Sequence, residues 1–313
     1  MDEDKKGGED MTGRYFNPYT DFGFKKIFGE EANKALLIDF LNSILPEPYQ
    51  VADLALHPTE LLPENPLFRS AMVDVACTGP NGERFIVEMQ KEKQRWFKDR
   101  ALFYSSAVIQ KHATRGDWDF KLNPVIFVAI LDFEYDEHEE RREIERLVSL
   151  KDQNGVTFSE SLQMIFLQMP LFTKTESELE THKDKWLYFL KNLEFFDEIP
   201  AILREPIFEQ AFEVAEWIKY PPALQEAYWK SRMAYLDNIN TFNYAIETAE
   251  EKGVARGEAI GEARGEARGR AEGHAEGRAE EKIEIARGMK QKGLEVALIT
   301  ELTGLNEKEI EKL

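Results

Sequence analysis

Two acidic residues, Asp74 and Glu88, stand in two apolar segments that a short turn joins. The turn, Gly79-Pro80-Asn81-Gly82, has the residue types of a three-residue hairpin loop with a bulge. If Gly79 and Glu83 close this loop, the register places Asp74 directly opposite Glu88. Two carboxylates facing each other across a strand pair repel, and a divalent cation between them would relieve the repulsion and could activate water. The pair is therefore either a metal site or an unexplained defect.

The residues that follow Glu88 extend the candidate site. Glu88 and Gln90 are two residues apart, so both side chains leave the same face of the strand. Met89 turns its side chain to the other face, but its backbone carbonyl could be a further metal ligand. Arg100 and Tyr104 stand four apart on the next predicted helix, so Arg100 could grip a phosphate that Tyr104 orients. An Arg–Tyr pair at this spacing is, however, more often surface packing.

These residue types suit hydrolysis of a phosphodiester. That reaction needs a cation to neutralise developing charge and to make hydroxide available. Magnesium prefers oxygen ligands and usually takes only one or two protein carboxylates, keeping water in its other positions. Asp74 and Glu88 supply that number, and Gln90 could hydrogen-bond a bound water or a phosphate oxygen.

The segments around these residues alternate between helix and strand patterns. A continuous apolar run over 123–133, led by proline, is typical of a buried strand. The order of helix, strands, helix and further strands predicts an α/β fold in which helices pack on a sheet. The predicted strands are 51–62, 70–78, 83–90, 123–133, 144–150 and 158–168, and the predicted helices of this part are 31–45 and 94–114.

A charged repeat near the C-terminus has glycine at every fourth position from 253 to 277, among alanine, glutamate and arginine. The spacing is slightly longer than a helical turn, so the glycines would form a stripe that winds slowly around a helix. Each glycine lowers helix stability by roughly 1 kcal/mol relative to alanine. The segment is either a half-helical spacer, which we favour, or a surface where small glycines let partner helices approach and the chain self-associates.

Residues 282–313 have the pattern of short helices joined by tight glycine turns, which is typical of a helix-turn-helix. Gly293 and Gly304 suit helix ends, and Asn306 suits the cap of the last helix. That last helix is short and acidic, which suits packing better than reading a DNA groove.

The composition restricts the class of protein. The chain has 313 residues and a formal net charge of -19, which argues against a protein that coats nucleic acid through non-specific charge attraction. Positive charge is concentrated at residues 91–121, where eight Lys and Arg stand against four Asp and Glu. No apolar run has the length of a transmembrane helix, so we expect no membrane partner. Cys77 is the only cysteine, which excludes disulfides within the chain and fits a reducing cytoplasm.

Taken in order along the chain, these motifs resemble a known family. Asp74 and Glu88-Met89-Gln90 follow an N-terminal Asp21-Phe22-Gly23-Phe24-Lys25-Lys26-Ile27-Phe28 and precede Arg100 and Tyr104. This order and spacing resembles the PD-(D/E)XK nuclease family transposases, relatives of the Rpn recombination-promoting nucleases. The resemblance covers about residues 14 to 195, and the glycine-rich tail with its terminal helices looks like the usual C-terminal extension of such proteins.

The resemblance implies a restriction-endonuclease-like core, a mixed sheet flanked by helices, with an all-helical C-terminal extension. It also implies cleavage of DNA that depends on Mg²⁺, with Mn²⁺ as a possible substitute. Gln90 stands where the broader superfamily has lysine, so it brings no charge to the transition state. Carried over to this chain, the metal ligands are Asp74 and Glu88, the third acid near the site is Asp21, and the supporting residues are Arg100 and Tyr104.

We therefore expect a cytoplasmic DNA endonuclease linked to recombination or mobile elements, which contacts mainly the phosphate backbone of DNA. The alternative is a weak or inactive nuclease-derived scaffold that self-associates through residues 250–282. The predicted organisation is a disordered N-terminus over 1–12, a nuclease-like domain over 13–200, a helical extension over 201–250, the glycine repeat over 251–281, and the helix-turn-helix-like end over 282–313.

Overall fold

The computed structural model of the protein describes residues 13–61, 71–111, 119–134 and 142–313. The N-terminal segment 1–12, which the sequence predicts to be disordered, lies outside the described residues. The chain divides into two compact units, one that ends at Asn240 and one that spans Thr241–Leu313. Within the described residues, no helix is long and apolar enough to cross a membrane.

The first unit is built on a mixed sheet, as the sequence predicts, and its strand order among the described residues is β1-β4-β5-β6-β8-β7. β4 pairs antiparallel with β5, whereas β5, β6 and β8 run parallel to one another, and β7 returns antiparallel to β8. A short strand pair, β2 with β3, stands apart from this sheet. The strands are β1 Ala55–His57, β2 Glu60–Leu61, β3 Ala71–Met72, β4 Val75–Thr78, β5 Arg84–Gln90, β6 Val125–Leu131, β7 Glu145–Lys151 and β8 Thr157–Gln168.

Helices cover both faces of this sheet. Val87 and Met89 of β5 lie in a larger apolar cluster with residues of α1, α2, α4 and α5. Ile86 lies in a smaller cluster on the other face, with residues of α3. Every residue of β6 is buried, because the strand is covered on both sides. The helices are α1 Asp21–Phe28, α2 Lys34–Ile44, α3 Phe97–Gln110, α4 His182–Asn192 and α5 Pro206–Ala215, followed by α6 Pro222–Gln291.

The hairpin of β4 and β5 has the register that its turn predicts. The Gly79 N–H donates to the carbonyl of Glu83 at 2.8 Å, so these residues close the loop. Gly82 has a φ of +90°, the left-handed conformation that glycine adopts without strain. Val75 lies opposite Val87, and the same register continued by one residue brings Asp74 opposite Glu88. The predicted juxtaposition of the two acids is confirmed.

Two predicted strands are wrong in extent. The segment 51–62 does not form one strand, because β1 pairs with β4 in the main sheet while β2 pairs with β3 in the small one. The segment 70–78 divides in the same way, into β3 of the small sheet and β4 of the main sheet. The second hairpin is confirmed, with Gly155 at a φ of +81° between β7 and β8. The predicted helix 94–114 is observed as Phe97–Gln110, and the positions directly after 111 lie outside the described residues.

The second unit is helical. The glycine repeat is helical throughout, since α6 runs to Gln291 and includes all of it. Beyond it, α7 (Val296–Thr303) and α8 (Glu307–Glu311) enclose a small core of Ala286, Ile299 and Ile310. Gly304 ends α7 in the left-handed conformation, and the Asn306 side chain accepts from the Glu309 N–H at 3.0 Å. The predicted terminal helices and their caps are confirmed.

Candidate active site

The two acids are held together by backbone hydrogen bonds at the point where β4 begins. The Asp74 N–H donates to Glu88 Oε1 at 3.1 Å, and the Met89 N–H donates to Asp74 Oδ2 at 2.8 Å. Each carboxylate therefore binds the backbone of the strand that carries the other. Glu88 is only 3% exposed, whereas Asp74 is partly buried. This arrangement fixes both carboxylates before any ligand arrives.

The electrostatics of this pair favour a proton or a cation. Burial raises the pKa of Glu88 to about 8, and the negative charge of Asp74 adds to the effect. Burial also raises the pKa of Asp74, with a further contribution from the charge of Asp21. Two negative charges are therefore unfavourable here near neutral pH. A divalent cation would supply the compensating charge that a proton otherwise brings.

Gln90 connects Glu88 to helix α3. Its Nε2 donates to Glu88 Oε2 at 2.8 Å, and its Oε1 accepts from the guanidinium of Arg100. A second nitrogen of Arg100 donates to Gln94 Oε1 at 2.5 Å. A glutamine can accept from Arg100 and donate to Glu88 at once, whereas a lysine at position 90 would place its ammonium against the guanidinium. The amide thus suits a site in which α3 supplies the positive charge.

Tyr104 lies one turn beyond Arg100 on α3. The guanidinium carbon of Arg100 is 5.9 Å from the ring centroid of Tyr104 and 5.9 Å from that of Phe97. Phe97 is buried in the smaller cluster, and Tyr104 packs against that cluster. The two rings therefore restrict where the guanidinium of Arg100 can lie.

Asp21 approaches the pair from α1. The Thr20 side chain caps this helix by accepting from the Gly23 N–H at 3.0 Å, which places Asp21 in the first turn. Its carboxylate pairs with Lys25 Nζ at 2.8 Å and its side chain is 60% exposed. Asp21 contributes to the field at Asp74, but the described residues contain no group of three or more His, Cys, Asp or Glu side chains that could together hold a metal.

Two models of known protein families match the chain. The family model for PD-(D/E)XK nuclease family transposases matches residues 18–245. The chain belongs to this family. The C-terminal helix-turn-helix domain of the Rpn/YhgA-like nuclease family matches residues 279–313. No curated protein and no solved structure matches the chain.

The mixed sheet with helices on both faces is the restriction-endonuclease-like fold of this nuclease family. The first match extends beyond the sheet into α6, and the second covers the end of α6 with α7 and α8. The two matches support a nuclease-related protein with a helix-turn-helix domain at its C-terminal end.

Lys91 was not singled out by the sequence, although it directly follows Gln90. Its ammonium lies 5.2 Å from the ring centroid of Tyr235, a residue of α6. Burial lowers the pKa of Lys91, while the charges of Asp21 and Asp74 act in the opposite direction. Lys91 therefore adds positive charge near the acid pair, besides the charges of Arg100 and Lys25. Its position next to the Glu88-Met89-Gln90 motif was the available signal, but nothing in the sequence pointed to Tyr235.

Asp132 is a second residue that sequence reasoning missed. It follows β6, and its N–H donates to the carbonyl of Gln90 at 2.9 Å, beside the end of β5. Burial raises its pKa to about 6. The ends of neighbouring parallel strands meet at one edge of a sheet, so the strand prediction for 123–133 contained the signal. It was not usable without knowing that β5 and β6 are neighbours.

The donor set fits a hard divalent cation. Asp74 and Glu88 offer carboxylate oxygens, and magnesium commonly binds one or two carboxylates with water in its remaining positions. The one cysteine, Cys77, is buried in β4, and burial raises the pKa of its thiol to about 12, so it does not offer a thiolate. The proposed use of the Met89 carbonyl as a further ligand stays a prediction.

Proposed function

We propose that this protein is a metal-dependent DNA endonuclease that hydrolyses phosphodiester bonds. The observation that carries the proposal is the pair of facing acids, Asp74 and Glu88, which are fixed by each other's backbone and whose pKa values are both raised. Buried acids whose pKa values are raised by burial and by a neighbouring charge are an arrangement that is common at functional sites. Mg²⁺ is the proposed cofactor, with Mn²⁺ as a substitute.

Each residue of the site has a role in this proposal. Asp74 and Glu88, with the Met89 carbonyl, would hold the cation, which when bound neutralises charge that develops on the phosphate and makes hydroxide available. Gln90 orients the Glu88 carboxylate through its amide. Arg100 holds Gln90 and brings positive charge towards the phosphate.

Two further residues act around that centre. Tyr104 restricts the Arg100 side chain and orients the phosphate, and Asp21 adds negative charge near Asp74. DNA contact would be mainly to phosphates, which positions the duplex without reading its sequence, so sequence preference should be weak. The proposed role in recombination or in mobile elements is supported by the family alone. The cytoplasmic location stays a prediction that rests on the single cysteine.

The test is incubation of the purified protein with supercoiled plasmid DNA and Mg²⁺. We expect nicking or linearisation that EDTA and Asp74→Ala each abolish. Asp237→Ala is the matched control, since Asp237 is an exposed aspartate of α6 and should leave cleavage unchanged. Cleavage at the wild-type rate by Asp74→Ala would refute the assignment.

A scaffold is the second candidate. It is favoured by the exposed helix of the glycine repeat, where nothing lies within 4 Å of the position that a Cβ would take at any glycine from Gly253 to Gly277. A helix with this much free surface could bind a second copy through residues 250–282. An inactive scaffold should gain little thermal stability from Mg²⁺ or Mn²⁺, whereas a site built from Asp74 and Glu88 should gain it clearly.

A further inference from the structure

Helix α3 presents two exposed aromatic side chains beside the candidate active site. Trp96, at the N-terminal cap of α3, is 64% exposed, and Phe103 is 46% exposed. They are seven residues apart, which places them on one side of a helix and about 10 Å apart along its axis. Two large exposed rings on one side of a helix offer flat apolar surface that a ligand could cover.

This aromatic pair is tied to the acid site through Arg100. Arg100 lies between Trp96 and Phe103 in the sequence, four residues after the first and three before the second, so all three share a side of α3. The Arg100 N–H donates to the carbonyl of Trp96 at 3.0 Å, and its guanidinium donates to Gln90. A ligand lying on the two rings would therefore also meet the residue that leads to Glu88.

The charge around the two rings is positive. Lys93, Arg95 and Lys98 are all exposed, and the guanidinium carbon of Arg95 lies 5.1 Å from the ring centroid of Trp96. Residues 91–100 contain five Lys and Arg against two Asp and Glu, in a chain whose net charge is -19. Basic side chains interleaved with exposed rings suit a ligand that offers both phosphates and flat aromatic surfaces.

We propose that Trp96 and Phe103 form a base-stacking platform that binds unpaired nucleotides, so that the nuclease acts preferentially on single-stranded DNA or on unpaired stretches within a duplex. The preference in cleavage rests on the proposed function, whereas the binding of unpaired nucleotides does not depend on it. Bases within a duplex cover each other's faces, so only unpaired bases can stack on a protein ring. Stacking is tolerant of sequence, since every base has a flat face.

The test compares binding of an oligo(dT) single strand with binding of a blunt duplex of equal length, in EDTA so that no cleavage occurs. We expect Trp96→Ala to weaken single-strand binding about tenfold, while duplex binding falls less than about twofold. Trp96→Phe keeps a flat ring and should retain most of the affinity. Phe158→Ala is the matched control, because Phe158 is 82% exposed on β8 and should have no effect.

A second readout does not depend on the alanine variant being folded. Bases that stack on an indole quench its fluorescence, so oligo(dT) should quench the wild-type emission and should quench that of Trp96→Phe much less. The platform is refuted if Trp96→Ala weakens single-strand and duplex binding equally, if it changes neither, or if quenching is the same in both proteins. Binding that depends on Trp96 in a protein that never cuts DNA would refute the nuclease and leave the platform standing. Cleavage of DNA in a protein whose single-strand binding does not depend on Trp96 would refute the platform and leave the nuclease standing.

Discussion

Asp74 and Glu88 bind each other's strands, since the Asp74 N–H donates to the Glu88 carboxylate and the Asp74 carboxylate accepts from the N–H that follows Glu88. These bonds hold two acids together although their charges repel. The conformation is therefore set by the hairpin and not by a ligand. It follows that the protein should fold without metal, but with a stability that depends on the protonation of this pair.

The first prediction concerns pH. The pKa of Glu88 is raised from 4.5 to about 8 on folding, so the folded protein binds a proton more tightly than the unfolded chain. The resulting stability is fully present below the unfolded pKa and is lost as pH rises through the folded pKa, with a slope of at most about 1.4 kcal/mol per pH unit. We expect the free energy of unfolding of the metal-free protein to fall between pH 4.5 and 8, and Glu88→Gln to show a flatter profile.

Chemical denaturation at several pH values across this window would measure the effect. The slope with pH is compared and not the absolute stability, because any packing defect of the glutamine variant is the same at each pH. Asp74→Asn serves as an intermediate case, since it removes one of the two charges and leaves Glu88 buried. Parallel profiles for the wild type and Glu88→Gln would contradict the assignment of a raised pKa.

The second prediction concerns the metal. Mg²⁺ or Mn²⁺ should raise the melting temperature of the wild type by several degrees, because a ligand at about 100 times its dissociation constant adds about 2.7 kcal/mol of stability. The gain should be largest at about pH 8, where fewer protons compete for the carboxylates, and should vanish in the Asp74→Asn Glu88→Gln double variant. Calorimetric scans with and without metal would measure it. An equal gain in the double variant would place the cation elsewhere.

The third prediction concerns Arg100. Its charge lowers the pKa of Glu88, and its guanidinium fixes Gln90. Arg100→Ala should therefore slow cleavage about ten- to hundredfold and shift the pH profile of the cleavage rate to higher pH, as expected of a residue that supports metal ligands. A purely structural role would lower the rate without moving the profile. Lys230→Ala on α6 is the control, because it removes an exposed cation outside the site.

The hairpin could be predicted because its information is local. The residue types of Gly79 to Gly82 determine the loop, the loop determines the register, and the register brings Asp74 to Glu88. The contacts from α6 and α1 could not be predicted in this way. Tyr235 lies far from Lys91 along the chain, and no sequence pattern around either residue predicts that their side chains meet.

The faces of α3 were predicted less well than its position. The sequence of the predicted helix 94–114 places Trp96, Phe97, Phe103, Tyr104 and Val108 on or near one side. In the structure Phe97 and Val108 are buried, while Trp96 and Phe103 are exposed. Periodicity assigns aromatic residues to a core because burial is their usual fate, and it has no means of recognising rings that are kept in water for a ligand.

The fourth prediction concerns the glycine repeat, which is helical although each glycine weakens a helix. At Gly261, Gly265 and Gly269 nothing lies within 4 Å of the Cβ position, so alanine should fit at each without strain. We expect each substitution to stabilise the helix by roughly 1 kcal/mol, so that the triple alanine variant has a stronger helical signal than the wild type. We also expect it to keep the oligomeric state of the wild type. Far-UV circular dichroism and sedimentation equilibrium would measure the two quantities.

The two interpretations of the repeat differ in how they respond to this change. A spacer needs only length and solubility, so stiffer alanine-rich helices should leave association and cleavage unaltered. A surface for close helix pairing needs the small glycines, so added methyl groups would hold the backbones apart and weaken association. The double variant Ala263→Gly Ala267→Gly is the control. It should lower helicity under both interpretations and so shows that circular dichroism detects changes of glycine content in this segment. If the wild type is a dimer and the triple alanine variant is a monomer, the spacer interpretation is wrong and residues 250–282 form an oligomerisation surface.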